Sequence, residues 1–505
     1  MTILLSHEET IGRIGRREVQ PVNRLRRAGM FHGFDIKKVR YKTVRRKIGR
    51  NEMEGYMSKK IISIILASCM TVSLFMAGCG SSTNGAATPA PSAASPSASS
   101  DASPSTASDE PVTIEYWQYF YETKVNLMDE LIEDFQSKNS NITVVQKHFP
   151  YDSYQQKVAA AVSAGTGPDI INLYYGWVPK YVKSGTLQEL PEASFSVEAI
   201  ESTFAPMVKV NKLDGKYYTV PVAVRTLGLF WNKDIFKENG LDPEKPPQTL
   251  EELVAMAKQC TKMVNGNLEI EGLTFQPSGQ LHAWFRPVLL EQFGQPPISE
   301  DKKTVLWNAS DKGYEAFEFL VNLAKVEKVG EKDFYTDDST AFISGKAALH
   351  IDGSYRLGSL KAQAADLNYG VTVLPSYNGV ETSFGSFWTN GITTNATGAK
   401  LDASVKFLEY LTSAEVMKTW TERIGEIGAK TEIADDPDLL KDEKLAPFIK
   451  QLPVADSYFY VDEDADRKAL MDAIDQVLLN DMDPREALDT ATAQVQKLLD
   501  EYWGK

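Results

Sequence analysis

One stretch divides this chain before any fold is considered. Met57-Ser-Lys59-Lys60 carries two positive charges, Ile61 to Met76 is almost wholly apolar, and Ala77-Gly78-Cys79 sets two small residues before a cysteine. That is the layout of a secretory signal peptide, and a 16-residue apolar core is short for a membrane-spanning helix. Of the 31 residues that follow Cys79, 27 are Gly, Ala, Ser, Thr or Pro. They lack the side chains to build a core, so they read as a flexible tether reaching roughly 30 Å. Folding is thereby confined to residues 111–505, too long a stretch for one compact α/β layer and long enough for two lobes.

Charge follows the same division. Residues 1–56 hold 14 Lys+Arg against 6 Asp+Glu. A basic arm for nucleic acid is one reading; the other, preferred here, is that 1–56 is an upstream extension absent from the mature chain. The whole chain has net charge -14, but from Cys79 onward 62 acidic residues face 38 basic ones, a net of -24. Such a surface disfavours nucleic acid and anionic membranes as partners. Ala77-Gly78-Cys79 resembles a bacterial lipobox, with Met76 in place of the usual Leu. The resemblance implies cleavage of 57–78, lipidation of Cys79 (palmitate included), and a lipoprotein held by its lipid on the outer face of the cell membrane, with 79–110 as the tether. With Cys69 removed and Cys79 lipidated, Cys260 remains alone in a helical pattern, a buried small hydrophobe, and no disulfide is expected.

In the body, Val112 to Trp117 alternates as a strand, Leu127, Leu131, Ile132 and Phe135 mark a helix, and Asn141 to Gln146 reads as a second strand. A helix over Tyr154 to Ala164 and a strand over Asp169 to Tyr174 follow. Alternation of this kind predicts an α/β fold with largely parallel strands. Ligands of open α/β sheets bind beyond the carboxyl ends of the strands. Aromatic residues fall there in both cases, at Trp117-Gln118-Tyr119 and at Tyr174-Tyr175-Gly176-Trp177. Thr249 with Glu252 forms a capping box at a helix start. Arg467 to Tyr502 reads as mostly helical, with Pro484 opening a helix.

Other chemistry is excluded by spacing. Gly345-Lys346 lacks the first glycine and the Ser/Thr of a phosphate loop, and Gly165-Thr-Gly167 lacks the third glycine of a dinucleotide fingerprint. His148, His282 and His350 have no metal spacing, and the run Asp462 to Asp466 lacks the glycine and glutamate of a calcium loop, so it is expected to be a solvated surface. No cofactor and no metal is predicted.

Several segments, in order, are similar to the bacterial extracellular solute-binding proteins of sugar ABC importers, the maltose-binding-protein-like family. They are Ala164-Gly-Thr-Gly-Pro-Asp-Ile170, Ser184-Gly-Thr-Leu-Gln-Glu-Leu190, Gly215-Lys-Tyr-Tyr-Thr-Val-Pro221 and Leu229-Phe-Trp-Asn-Lys-Asp-Ile-Phe236. Phe342-Ile-Ser-Gly-Lys-Ala-Ala-Leu349, Asp352-Gly-Ser-Tyr355, Tyr369-Gly-Val-Thr-Val-Leu-Pro375 and Ala403 to Ser413 continue the series. The resemblance implies a two-lobed periplasmic-binding-protein-like (type II) fold with a hinge and an interlobe ligand cleft. Crossings are expected near Val222–Arg225 and Val373–Ser376. The lobes are expected as 111–223 with 376–420, and 224–375 with 421–505. It further implies a monomer without enzymatic activity that captures a carbohydrate, an oligosaccharide here, and delivers it to ABC transporter permease subunits.

Sugars stack their C–H faces on aromatic rings and bond their hydroxyls to paired polar atoms. At the family's binding positions this sequence offers Trp117, Gln118, Glu122, Tyr175, Trp177, Arg225, Trp284, Tyr355, Trp388, Asn390, Tyr458 and Tyr460. Arg225 stands where the maltose-binding relative has a Glu, and Tyr355 where it stacks a Trp. An arginine there can donate to hydroxyls, pair with an anionic group of an acidic sugar, or form a hinge salt bridge. Two alternatives stand beside sugar capture: a binder of another solute, and a secreted glycoside hydrolase, which needs two facing carboxylates.

Overall fold

A computed structural model describes residues 110–276 and 280–504, with the side chains of 280–282 left aside. The extension 1–56, the signal segment 57–78, Cys79 and the tether lie outside the described residues. No described helix is long and apolar enough to cross a membrane.

The body opens with β1 (Val112–Tyr119), α1 (Glu122–Lys138), β2 (Ile142–Phe149), α2 (Tyr151–Ser163) and β3 (Ile170–Tyr174). The helical spacing on α1 buries Leu127, Leu131, Ile132 and Phe135, and the helix packs on β2. β1 runs parallel to both β2 and β3. The long strand β4 (Thr219–Asn232) is buried at all 14 positions. Its first part, Thr219–Thr226, pairs with β9 (Ser383–Ile392), which also pairs with β3. From Leu227 onward it pairs with β7 (Ala347–Gly353) and β8 (Tyr369–Thr372), and β7 in turn pairs with β6 (Asn267–Leu273) of the hairpin that β6 forms with β5 (Lys262–Val264). The path is β2-β1-β3-β9-β4-β7-β6-β5. One strand thus serves both halves of the fold, and Arg225 sits where it passes from one to the other.

The sheet is less parallel than expected. β9 runs antiparallel to β3 and β4, and β4 runs antiparallel to β7 and β8. The reason is topological: β4 carries the chain out of the first half and β9 brings it back the opposite way.

The helices that position the site or cap the body are α3 (Leu250–Cys260), α4 (Gln280–Phe293), α5 (Ala414–Ile424), α6 (Glu463–Leu479) and α7 (Pro484–Trp503). The capping box of α3 is present in a shifted form. Thr249 accepts from Glu252 N at 3.2 Å, while the Glu252 carboxylate reaches back to Gln248 N at 2.7 Å. Cys260 is fully buried, and that burial pushes its thiol up to about 12. Helix α5 runs unbroken through residue 420, and the short β10 (Ile427–Gly428) then pairs with Ala223–Val224. A boundary at 420 therefore cuts a helix that leads directly into the first half's strand β4.

The acidic run 462–466 is not a solvated surface. Asp462 caps α6 through Ala465 N at 3.2 Å, Glu463 is buried, and Asp466 pairs with Arg286 of α4 at 3.0 Å. Negative charge is favoured at a helix start, and here it also meets a buried cation.

Candidate functional site

The first βα turn is short: only Phe120 and Tyr121 separate β1 from α1. Tyr119 therefore closes the strand while Lys124, one turn into the helix, folds back beneath it. On the opposite wall, α5 ends at Gly425, whose φ of +82° is the left-handed conformation that glycine adopts without steric cost. That turn carries the next residue, Glu426, inward.

Glu426 meets two cations. Its Oε1 accepts from Lys124 Nζ at 2.7 Å and is also the partner of the Arg225 guanidinium, while Oε2 accepts from the Trp420 indole at 2.9 Å. The side chains of Lys124, Arg225 and Glu426 are 4%, 9% and 4% exposed. Burial alone would raise the Glu426 carboxyl, but Arg225 and Lys124 outweigh it and hold the group down at about 2.

Aromatic rings stand around this triad. Trp388 lies on β9, in register with Tyr174 of β3 on one side and Ala223 of β4 on the other. Its ring stacks on Tyr119, centroids 4.0 Å apart. Tyr151, the first residue of α2, approaches it edge-on at 6.2 Å. Tyr174 stacks on Trp284 of α4 at 6.2 Å. Tyr355 follows β7 by two residues and lies under the Arg225 guanidinium, 4.8 Å from ring centroid to Cζ. Behind it, buried Asp352 accepts from Arg356 Nε at 2.6 Å and contacts His350 Nε2 at 3.1 Å; His350 Nδ1 meets Thr274 Oγ1 at 3.0 Å. Burial pushes the Asp352 carboxyl up, but Arg356 and His350 hold it well below the usual carboxylate range. These elements enclose a cleft of about 180 Å³, completed by Tyr121 and Ile424.

Four of the sequence-predicted residues meet there: Arg225, Trp284, Tyr355 and Trp388. The others are placed off its lining. Trp117 packs on Phe149 of β2 at 4.8 Å and donates to Glu115 at 2.9 Å. Gln118 bonds Gln146, and Glu122 is exposed in the first turn of α1. Tyr175 donates to the Tyr458 carbonyl at 3.1 Å and stacks on Phe387. Trp177 stands edge-on behind Trp388, centroids 5.3 Å apart, and so backs the wall without forming it. Asn390 accepts from Tyr116 at 3.0 Å and from Asn172 at 2.9 Å, a core hub. Tyr458 and Tyr460 are buried against each other, Tyr458 also facing Arg286.

Sequence reasoning missed Tyr121, Lys124, Tyr151, Ile424 and Glu426, and it took Tyr119 and Tyr174 only as members of the strand-end aromatic clusters, not as binding residues. Tyr119 and Tyr174 were within reach of it, since they are the last residues of β1 and β3. Lys124 and Glu426 carry no local signal: one reads as a solvated helix lysine, the other as a loop glutamate.

A second, larger groove of about 680 Å³ lies between α4, residues 206–210 and β11 (Ala455–Asp456). Its walls include Pro287, Pro296, Pro297, Glu291, Lys302 and Phe459. It holds no stacked set of aromatic rings around a charged centre.

The family described as bacterial extracellular solute-binding protein matches residues 130–447. The chain belongs to that family. Among relatives, the maltotriose-binding protein of Pyrococcus abyssi is 24% identical over 66% of this chain and 70% of its own. The sn-glycerol-3-phosphate-binding periplasmic protein of Shigella dysenteriae is 26% identical over 52% of this chain and 61% of its own. Among solved structures, the cyclic α-maltosyl-1,6-maltose binding protein of Arthrobacter globiformis has a TM-score of 0.69 at 22% identity, covering 77% of this chain and 100% of that one. The fold of this solute-binding protein is thus the two-lobed α/β architecture of that class.

Proposed function

We propose that this solute-binding protein captures a carbohydrate in the cleft around Trp388 and Arg225 and delivers it to the permease of an ABC importer. The observation that carries the reading is the cleft itself: Tyr119, Tyr174, Trp284, Tyr355 and Trp388 offer ring faces, while Arg225, Lys124 and Glu426 offer fixed polar atoms. That pairing is what a sugar's two surfaces require. Relatives and structural neighbours whose names specify maltotriose and a cyclic maltosyl sugar support it. At about 180 Å³ the cleft is smaller than the ~300–1,000 Å³ usual for drug-sized ligands, which favours one or two sugar rings over a long chain.

The lobes close about the crossing of β4 at Arg225–Leu227, and ligand favours the closed state. The protein works as a lipid-anchored monomer outside the cell membrane, tethered from Cys79. It performs no hydrolysis. Glu426 is the carboxylate among the described cleft-lining residues, and one held ionised between two cations cannot serve as a general acid at neutral pH. A thermal-shift panel of mono- and oligosaccharides, polyamines and peptides tests the reading, because a ligand of the folded state raises the melting temperature. A rise with saccharides is expected; a rise confined to non-sugar solutes refutes it, and released reducing ends refute the absence of hydrolysis.

A further inference from the structure

Charge in the cleft does not balance. Lys124 and Arg225 bring two positive charges, and Glu426 brings one negative charge. Arg356 does not change the sum, because it is paired with Asp352 behind Tyr355. Donors outnumber acceptors as well. A lysine has three N–H groups and an arginine five, whereas Glu426 offers two oxygens, one of them already bonded to Trp420. Buried charge without a counter-charge is costly. Burial, and to a smaller extent Arg225, pulls the Lys124 ammonium down to about 8 against the opposing effect of Glu426, as expected of a cation short of compensation. Both cations line the cavity itself.

We infer that the ligand of this cleft carries an anionic group, a carboxylate or a phosphate on a small saccharide, which sits against Lys124 and Arg225 while its ring packs on Trp388. The inference rests on the carbohydrate reading and narrows it. Arg225 matches such groups bidentately and Lys124 acts as a point charge beside it. Tyr355, lying beneath the guanidinium, keeps Arg225 facing the cavity.

The test is calorimetry on the protein at about pH 7 with glucose, maltose, glucuronate and glucose 6-phosphate, the last two separating carboxylate from phosphate. At least one acidic sugar is expected to bind about ten-fold or more tightly than its neutral counterpart, the size of one charge-assisted hydrogen bond. In Lys124→Met the acidic sugar is expected to lose about ten-fold more affinity than the neutral one. A merely structural lysine would weaken both alike.

The wild type supplies a second measurement should the variant fail to fold. Glu426, Arg225, Tyr119 and Tyr121 face Lys124. As Lys124 loses its proton between about pH 7 and 9, affinity for the acidic sugar is expected to fall and that for the neutral one to stay level. Neutral sugars binding as tightly as both acidic ones overturns the inference and leaves the carbohydrate reading intact. No binding by any of the four, with a response to a non-sugar solute in the thermal-shift panel, overturns both.

Discussion

The cleft at Arg225 and the groove at Glu291 treat a carboxylate in opposite ways. In the cleft, Glu426 is almost completely buried yet held ionised, because Arg225 and Lys124 overcome the burial. In the groove, no cation among the described residues pairs with Glu291; burial pushes its carboxyl up to about 7, and the hydrogen bond from Thr382 at 2.6 Å only partly opposes this. Volume alone favours the groove, about 680 Å³ against about 180 Å³. Chemistry favours the cleft, where rings and charges from β1, α1, α2, β3, β4, α4, β9, α5 and their flanking turns converge on one small space. The proposed ligand site is distinguished by convergent polar groups among aromatic rings, and size is the weaker guide.

The sharpest way to break that contrast is to remove the cleft's carboxylate. Glu426→Ala leaves Lys124 and Arg225 buried and mutually repelling, and is expected to cost about 3–5 kcal/mol of stability in urea unfolding. A loss below about 1 kcal/mol would mean that water already compensates the two cations. The sign with pH follows from the lowered carboxyl. Its stabilisation is present above about 4.5 and is lost as pH falls toward about 2.

How much of this was legible beforehand depends on the range of the interaction. The first strands and helices could be read because their pattern is local: Leu127, Leu131, Ile132 and Phe135 on α1, and Ile170, Ile171, Leu173 and Tyr174 around the single polar Asn172 of β3. The four cleft residues found early were aromatic or charged and stood at positions the family resemblance marked. Trp117 lies two positions before Tyr119, on the same side of β1 but farther from its carboxyl end, and Tyr175 lies one past Tyr174, where β3 has already ended. Asn390 and Tyr458 were misplaced for another reason. Their polar atoms and rings are used by the core, through Tyr116 and Asn172 in one case and Arg286 in the other, and nothing in sequence separates a satisfied core polar group from a ligand contact. Lys124 and Glu426 lie 302 positions apart, and only the fold brings them together.

A second test compares the walls directly. Trp388→Ala removes the ring stacked on Tyr119 and is expected to weaken saccharide binding by about 2 kcal/mol, roughly 30-fold. Ile298→Ala on the groove wall is expected to leave that affinity within about two-fold. Equal losses, measured by calorimetry on folded variants, would erase the distinction between the two cavities.

The smallest effect is the most diagnostic of mechanism. A protonated Glu291 can donate to Thr382 Oγ1, whose own proton then goes to the Val454 carbonyl at 3.2 Å, so every partner in the chain is satisfied. Ionised, Glu291 competes with Val454 for the single Thr382 proton. The folded-state value lies above the unfolded one, so this group's contribution is fully present below about pH 4.5 and is lost as pH rises through about 7. Glutamine mimics the protonated form at every pH. Glu291→Gln should therefore match the wild type near pH 4 and exceed its stability near pH 8 by on the order of 1 kcal/mol, after discounting for the partial solvent access of the groove. Saccharide affinity should not change at either pH. At Glu426 the same substitution removes the ionised form that two cations require, and there it is expected to destabilise. A glutamine that proved harmless at both positions would show that the cleft does not depend on the charge of its carboxylate.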